Sequence, residues 1–164
     1  MLENLKYAGI LLLLIIVQKT LISFIDVTEY RITPDLVLVG LVYIGINKGK
    51  ITGSISGFLS GLVLDLFSFA FIGLMALAKS VAGFVSGYFC TENKIERYLS
   101  SYNFMLIVFF CSLINNAIYY IIYFQGSNLE VVDIVLRYVI PTAIYTSIFS
   151  LFPIIFARRR KFAR

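Results

Sequence analysis

The chain has 164 residues, of which 60% are apolar and 14% charged, with a formal net charge of +5 and a mean hydropathy of +0.91. A soluble domain of this length covers itself with polar groups and has about a quarter of its residues charged, so composition excludes that class and makes lipid the main solvent. Histidine is absent, which removes the usual general base near neutral pH and the commonest metal ligand.

Crossing about 30 Å of hydrocarbon takes roughly 20 helical residues, and six apolar stretches approach that length. The first, Leu5–Ile25, has no basic cluster before it and no small-residue cleavage pattern after it, so it is expected to be retained as a span. A polar link, Asp26–Thr33, leads to a short second stretch, 34–46, which opens at Pro34, where a missing N–H costs nothing. The third, Ile51–Phe69, follows the turn Asn47–Lys50, and the fourth, Ile72–Cys90, follows almost at once. The polar segment Thr91–Ser101 precedes the fifth, Tyr102–Gln125. The sixth, Val132–Ala157, ends in the basic tail Arg158–Arg164. Within the sixth, Asp133 and Arg137 stand ahead of Pro141. That pattern fits either an interfacial turn before a span starting at Ile140, or one helix kinked at the proline. The second is preferred, because membrane helices tolerate proline where neighbours satisfy the freed carbonyl.

The fold class that follows is an all-α integral membrane protein, one transmembrane domain over residues 1–164 with six spans. Lys6, Lys48, Lys50, Lys94, Arg97 and the tail fall on one side. Arg31 and the acids Asp26, Glu29 and Glu130 fall on the other, with Arg137 near its edge. The positive-inside rule then puts both termini in the cytoplasm. Cys90 and Cys111 lie at different depths, which argues against a disulfide or a shared metal.

Gly53, Gly57, Gly61 and Asp65 recur every four residues along the third span, and Lys79, Gly83 and Gly87 do so along the fourth. Residues four apart share a helix face. Small faces of this kind are where membrane helices pack closely, so this one should receive either the fourth helix or the single transmembrane helix of a partner. A lone charge at mid-membrane costs about 2.5–3.5 kcal/mol, and Asp65 and Lys79 come out at similar depth, so they are expected to pair. Neutralisation within the bundle is the simpler reading of that pair, and contact with a partner or ligand the functional one. Lys19 is placed to snorkel to the interface, Asn115 and Asn116 to bond between helices. A serine nucleophile would lack a base, and Asp65 stands without a second acid at its depth, so intramembrane hydrolysis is not expected. No catalytic residue, cofactor or metal is assigned.

Between Pro34 and Tyr88 stand Pro34-Asp35-Leu36 opening a short span, the run Gly57-Phe58-Leu59-Ser60-Gly61-Leu62, then Asp65-Leu66-Phe67-Ser68, Gly73-Leu74 and Ala76-Leu77. On these motifs the chain resembles the rod shape-determining protein MreD family. Phe69 departs from it, standing where a small residue is expected after the serine. The resemblance implies a bacterial inner-membrane protein of the elongasome, without catalysis. It would work with MreC, and through it with the MreB filament and the elongation-phase peptidoglycan synthases. It also implies a fold like that of the membrane subunits of energy-coupling-factor transporters. Candidate partner-binding or helix-packing residues are Pro34, Asp35, Gly53, Gly57, Gly61, Asp65, Lys79, Gly83 and Gly87. The rival reading is a small-molecule-binding membrane subunit of a transporter. It requires a pocket where Asp35, Asp65, Lys79, Asn115 and Asn116 converge.

Overall fold

The structure is a computed structural model, and it describes residues 2–22, 33–68, 71–91, 98, 102–126 and 129–151, with the side chains of 2–5 and 21–22 left aside. The basic tail, Lys94, Arg97, Arg31 and the acids Asp26 and Glu29, on which the expected orientation leans, lie outside the described residues, as does Phe69. Every described element is helical: α1 (Leu2–Ile22), α2 (Leu36–Lys48), α3 (Lys50–Ser68), α4 (Leu74–Ser86, with a 3₁₀ turn Gly87–Phe89), α5 (Asn103–Tyr123) and α6 (Val131–Phe149).

By length and composition α3, α5 and α6 can each cross a membrane, whereas α2 has only 13 residues, about 20 Å of helix. Burial explains how so short a helix is accommodated. Val37, Leu38, Leu41, Val42 and Ile46 are wholly buried and, with Val39 and Ile44, make a buried face over more than half of the helix, with Tyr43 on the open side. A helix with so wide an apolar face belongs largely inside. With α1, α3, α4 and α5 about it, α2 need not reach the water on either side. It joins two apolar clusters: Leu38, Leu41, Val42 and Ile46 with Ala82, Phe104, Val108 and Cys111, and Val37 and Ile44 with Leu11, Ile15 and Leu64.

Outside this core the polarity is inverted relative to a soluble protein. Leu13, Ile16, Ile55, Leu59, Leu106, Phe110 and Leu136 are exposed, a surface that lipid solvates and water would not.

Turn chemistry sets the helix limits. Asp35 caps α2, its carboxylate accepting from Leu38 N–H at 2.9 Å. Gly49, at φ +86°, closes α2 by donating to Gly45 C=O at 2.9 Å and lets α3 start at the next residue. α6 runs unbroken through Pro141. Directly before it, Val135–Val139 forms a π-helical turn in which Ile140 N–H reaches back to Val135 C=O. Proline has no N–H, and its ring crowds the carbonyl four residues earlier, so the wider turn absorbs the mismatch. The Thr142 hydroxyl then donates to Tyr138 C=O at 2.6 Å.

Candidate functional site

The glycines of α3 bring its backbone directly against that of α4. A Cβ on Gly57 would stand 2.2 Å from Lys79 C=O, one on Gly61 2.5 Å from Ala76 Cα, and one on Gly53 2.4 Å from Gly83 C=O. From the other side, Gly83 lies against Gly53 C=O, and Gly87 against the backbone of Lys50. Ser54 and Ser80 share a hydrogen bond of 2.9 Å across the same seam, and the Ser60 hydroxyl turns back to Gly57 C=O at 3.1 Å. It is α4, and not the helix of a partner, that fills this strip, leaving no room for another helix.

The expected partnership of Asp65 with Lys79 is not what the structure contains. Asp65 is buried and accepts three backbone N–H groups at the start of α4: Gly73 at 2.9 Å, Met75 at 3.1 Å and Ala76 at 3.1 Å. A helix start exposes donors with no partner within the helix and carries partial positive charge. The residue at the N-cap of α4, Gly73 at φ +99°, has no side chain to meet them, so an acid eight positions earlier supplies the cap. The signal was present in sequence, as a helix led by glycine with an acid at the end of the preceding helix.

Lys79 instead forms an ion pair with Asp35, at the opening of α2. Lys79 is buried, and Asp35 nearly so. Two further helices also serve the α2 start. Asp35 N–H donates to the Thr146 hydroxyl at 3.0 Å, and Val37 N–H donates to Gln18 Oε1 at 2.9 Å. Neither Gln18 nor Thr146 belongs to a motif in the sequence. As isolated polar residues within apolar runs they carried only a weak signal. Pro34 is fully buried beside this knot.

A cavity of about 360 Å³ opens at this end of the bundle. Asp35, Lys79, Asn115 and Asn116 line it together with Gln18, Lys19, Tyr119, Tyr120 and Thr142. Four of the five polar residues that a pocket would need are therefore gathered, and Asp65, committed to its cap, is the one left out. Lys19 is exposed at the mouth and donates to Ser68 Oγ at 3.2 Å. Tyr119 and Tyr120 continue into an aromatic patch with Tyr123, Phe124 and Tyr138, their ring centroids 4.9–6.2 Å apart. A second cavity, about 370 Å³ between α1 and α3, is walled chiefly by Leu11, Leu12, Ile15, Ile55, Leu59 and Val63 and offers little beyond apolar contact. Cys90 and Cys111 are both free thiols.

Comparison with known proteins adds the deciding observation: the model of the family described as rod shape-determining protein MreD matches residues 5–161. The chain belongs to the MreD family. The match reaches into every described helix, so the α3–α4 glycine seam, the Asp65 cap and the polar cavity are all features of a MreD-family chain. A role in rod-shape determination and residence in a membrane follow from that membership. No curated protein and no solved structure matches the chain.

Proposed function

We propose that this chain is a non-catalytic scaffold of the rod-shape complex. It spans the bacterial inner membrane six times with both termini in the cytoplasm, and docks an MreC-like partner in the cavity beside Asp35 and Lys79. Through that partner it would act on the MreB filament and the elongation-phase peptidoglycan synthases, and so on the lateral wall.

The observation that carries this reading is the contrast between the two candidate faces. The glycine strip is consumed by α4, whereas the end of the bundle bearing Asp35 and Lys79 holds a polar cavity open beside an aromatic rim. Tyrosine clusters next to a concave polar site are the usual anchors of protein contacts. The orientation draws support from the opposite end, where Lys6, Lys48 and Lys50 gather; Lys50 lies over the Tyr88 ring at 3.4 Å and Lys48 over Tyr7 at 5.5 Å. On the positive-inside rule that end would be cytoplasmic, which supports a cavity facing outward.

A photo-cross-linker at Thr33, on the cavity wall, tests the proposal, with Ile144 on the lipid-facing side of α6 as control. The expected product is an adduct with the MreC-like protein from Thr33 and none from Ile144. If depletion of the chain left rod-shaped cells unchanged and no wall-synthesis component co-purified, the reading would fail. Retention of a small molecule through purification, with no protein adduct, would favour the ligand-binding alternative.

A further inference from the structure

Among the described residues, Asn115 Oδ1 is the buried side-chain polar atom that has no hydrogen-bond partner. Asn115 is 5% exposed and lines the cavity. Its amide nitrogen donates to Asn116 Oδ1 at 3.2 Å, and the Asn116 nitrogen donates to Ser112 Oγ at 3.2 Å. The two amides thus pass their donors along α5 and leave one carbonyl, that of Asn115, as the terminal acceptor. Buried polar atoms in folded proteins are almost always paired, and an unpaired one is expensive to keep.

The charged groups nearby are engaged elsewhere and leave Asn115 Oδ1 without a donor. Asp35 accepts from Leu38 N–H through Oδ1 and from Lys79 through Oδ2, and Lys19 is turned to Ser68. Asp35 and Lys79 also neutralise each other. An incoming acid would compete with Asp35 for Lys79 and set its lone pairs against the Asn115 carbonyl. An incoming base would compete with Lys79 for Asp35. A base would also meet the positive charge of Lys19 at the mouth, and a carboxylate, having no donor, would leave Asn115 Oδ1 unpaired.

We infer that Asn115 is a specificity-determining residue of the cavity, and that the docking segment presents a neutral hydrogen-bond donor, a hydroxyl or a primary amide, to Asn115 Oδ1. This rests on the docking reading above. The inserted group completes the Ser112–Asn116–Asn115 chain without adding charge, so the cavity selects against an acid or a base of similar size.

The test uses the full chain in lipid nanodiscs, with the MreC-like protein as the probe, comparing wild type with Asn115→Leu and Asn115→Gln. Asn115→Leu removes the acceptor and keeps a side chain of comparable size. It should weaken binding about tenfold or more, the usual consequence of deleting one hydrogen bond from a desolvated contact. The thermal midpoint of the chain without partner should change little, because the variant removes an unpaired acceptor together with the donor that serves Asn116 Oδ1. Asn115→Gln retains a carbonyl and should recover part of the binding. A fall in the midpoint with unchanged affinity would make Asn115 a structural residue and overturn the inference. Equal weakening by Leu and Gln would overturn it as well, since shape alone would then matter. Failure of wild type to bind the probe would remove the docking reading and this inference with it. Binding and a Thr33 adduct with full affinity in Asn115→Leu would remove this inference alone.

Discussion

Lys79 on α4 is paired with Asp35, 44 residues earlier at the start of α2, while the nearer acid in sequence, Asp65, is fully occupied by the backbone of α4. Two acids at one end of the bundle therefore have separate work. One neutralises the buried lysine and the other substitutes for a missing helix cap.

That division is measurable. Removing one partner of a buried ion pair leaves the other charge uncompensated, at a cost of about 3–5 kcal/mol. Asp35→Ala and Lys79→Ala should each lower the unfolding midpoint strongly in detergent. The double variant should be clearly less damaging than the sum of the two. A cycle on Asp65 and Lys79 should show a much smaller coupling energy, and a large one would return Lys79 to Asp65.

Asp65→Ala leaves the N–H groups of Gly73, Met75 and Ala76 without their acceptor. The expected loss is on the order of 2–3 kcal/mol, a cap and part of the desolvation of the donors it served. Hydrogen exchange localises the effect: amides 73–76 should lose protection more than those at the middle of α4. Uniform loss along the helix would point to general unfolding instead.

The α3–α4 seam gives a sharp contrast among glycines. Gly57→Ala places a Cβ against the Lys79 carbonyl, which is backbone and cannot turn aside. Overpacking of this sort costs typically 1–3 kcal/mol, with more expected against backbone. Gly9 on α1 has nothing within 4 Å of its would-be Cβ, so Gly9→Ala should be neutral or slightly stabilising. Folded yield from detergent extracts, read by size-exclusion profile, separates the two. Equal behaviour would mean that the helices stand further apart.

Pro141→Ala restores a backbone N–H to α6. The π-helical turn Val135–Val139 should relax toward regular helix, rotating the segment before it and parting Tyr138 from Tyr120, now 5.4 Å apart by ring centroid. A disulfide engineered between positions 120 and 138 should form less readily in the Pro141→Ala background. Unchanged formation would show that packing, and not the proline, holds the wide turn.

Much of this molecule is written in local pattern. Composition alone demands lipid. The four-residue recurrence of Gly53, Gly57 and Gly61 marks a close-packing face whatever covers it, because helix periodicity is a property of the segment itself. The Pro34–Leu36 and Gly57–Leu62 stretches carry the family likeness. What the segments could not contain was which helix stands beside which. Counting depth along α3 and α4 brings Asp65 and Lys79 level but says nothing of the direction each side chain faces. Only the insertion of the short α2 among its neighbours sets Asp35 in front of Lys79. The cavity has the same origin. Gln18, Asp35, Lys79, Asn115 and Thr142 come from five different helices, and an assembly of long-range contacts has no spacing to read. The sequence by itself determined the solvent, the helices and the adhesive seam, since those depend on side chains a few residues apart. Packing decided the ion pair, the borrowed cap and the cavity, since each needs groups brought from distant parts of the chain.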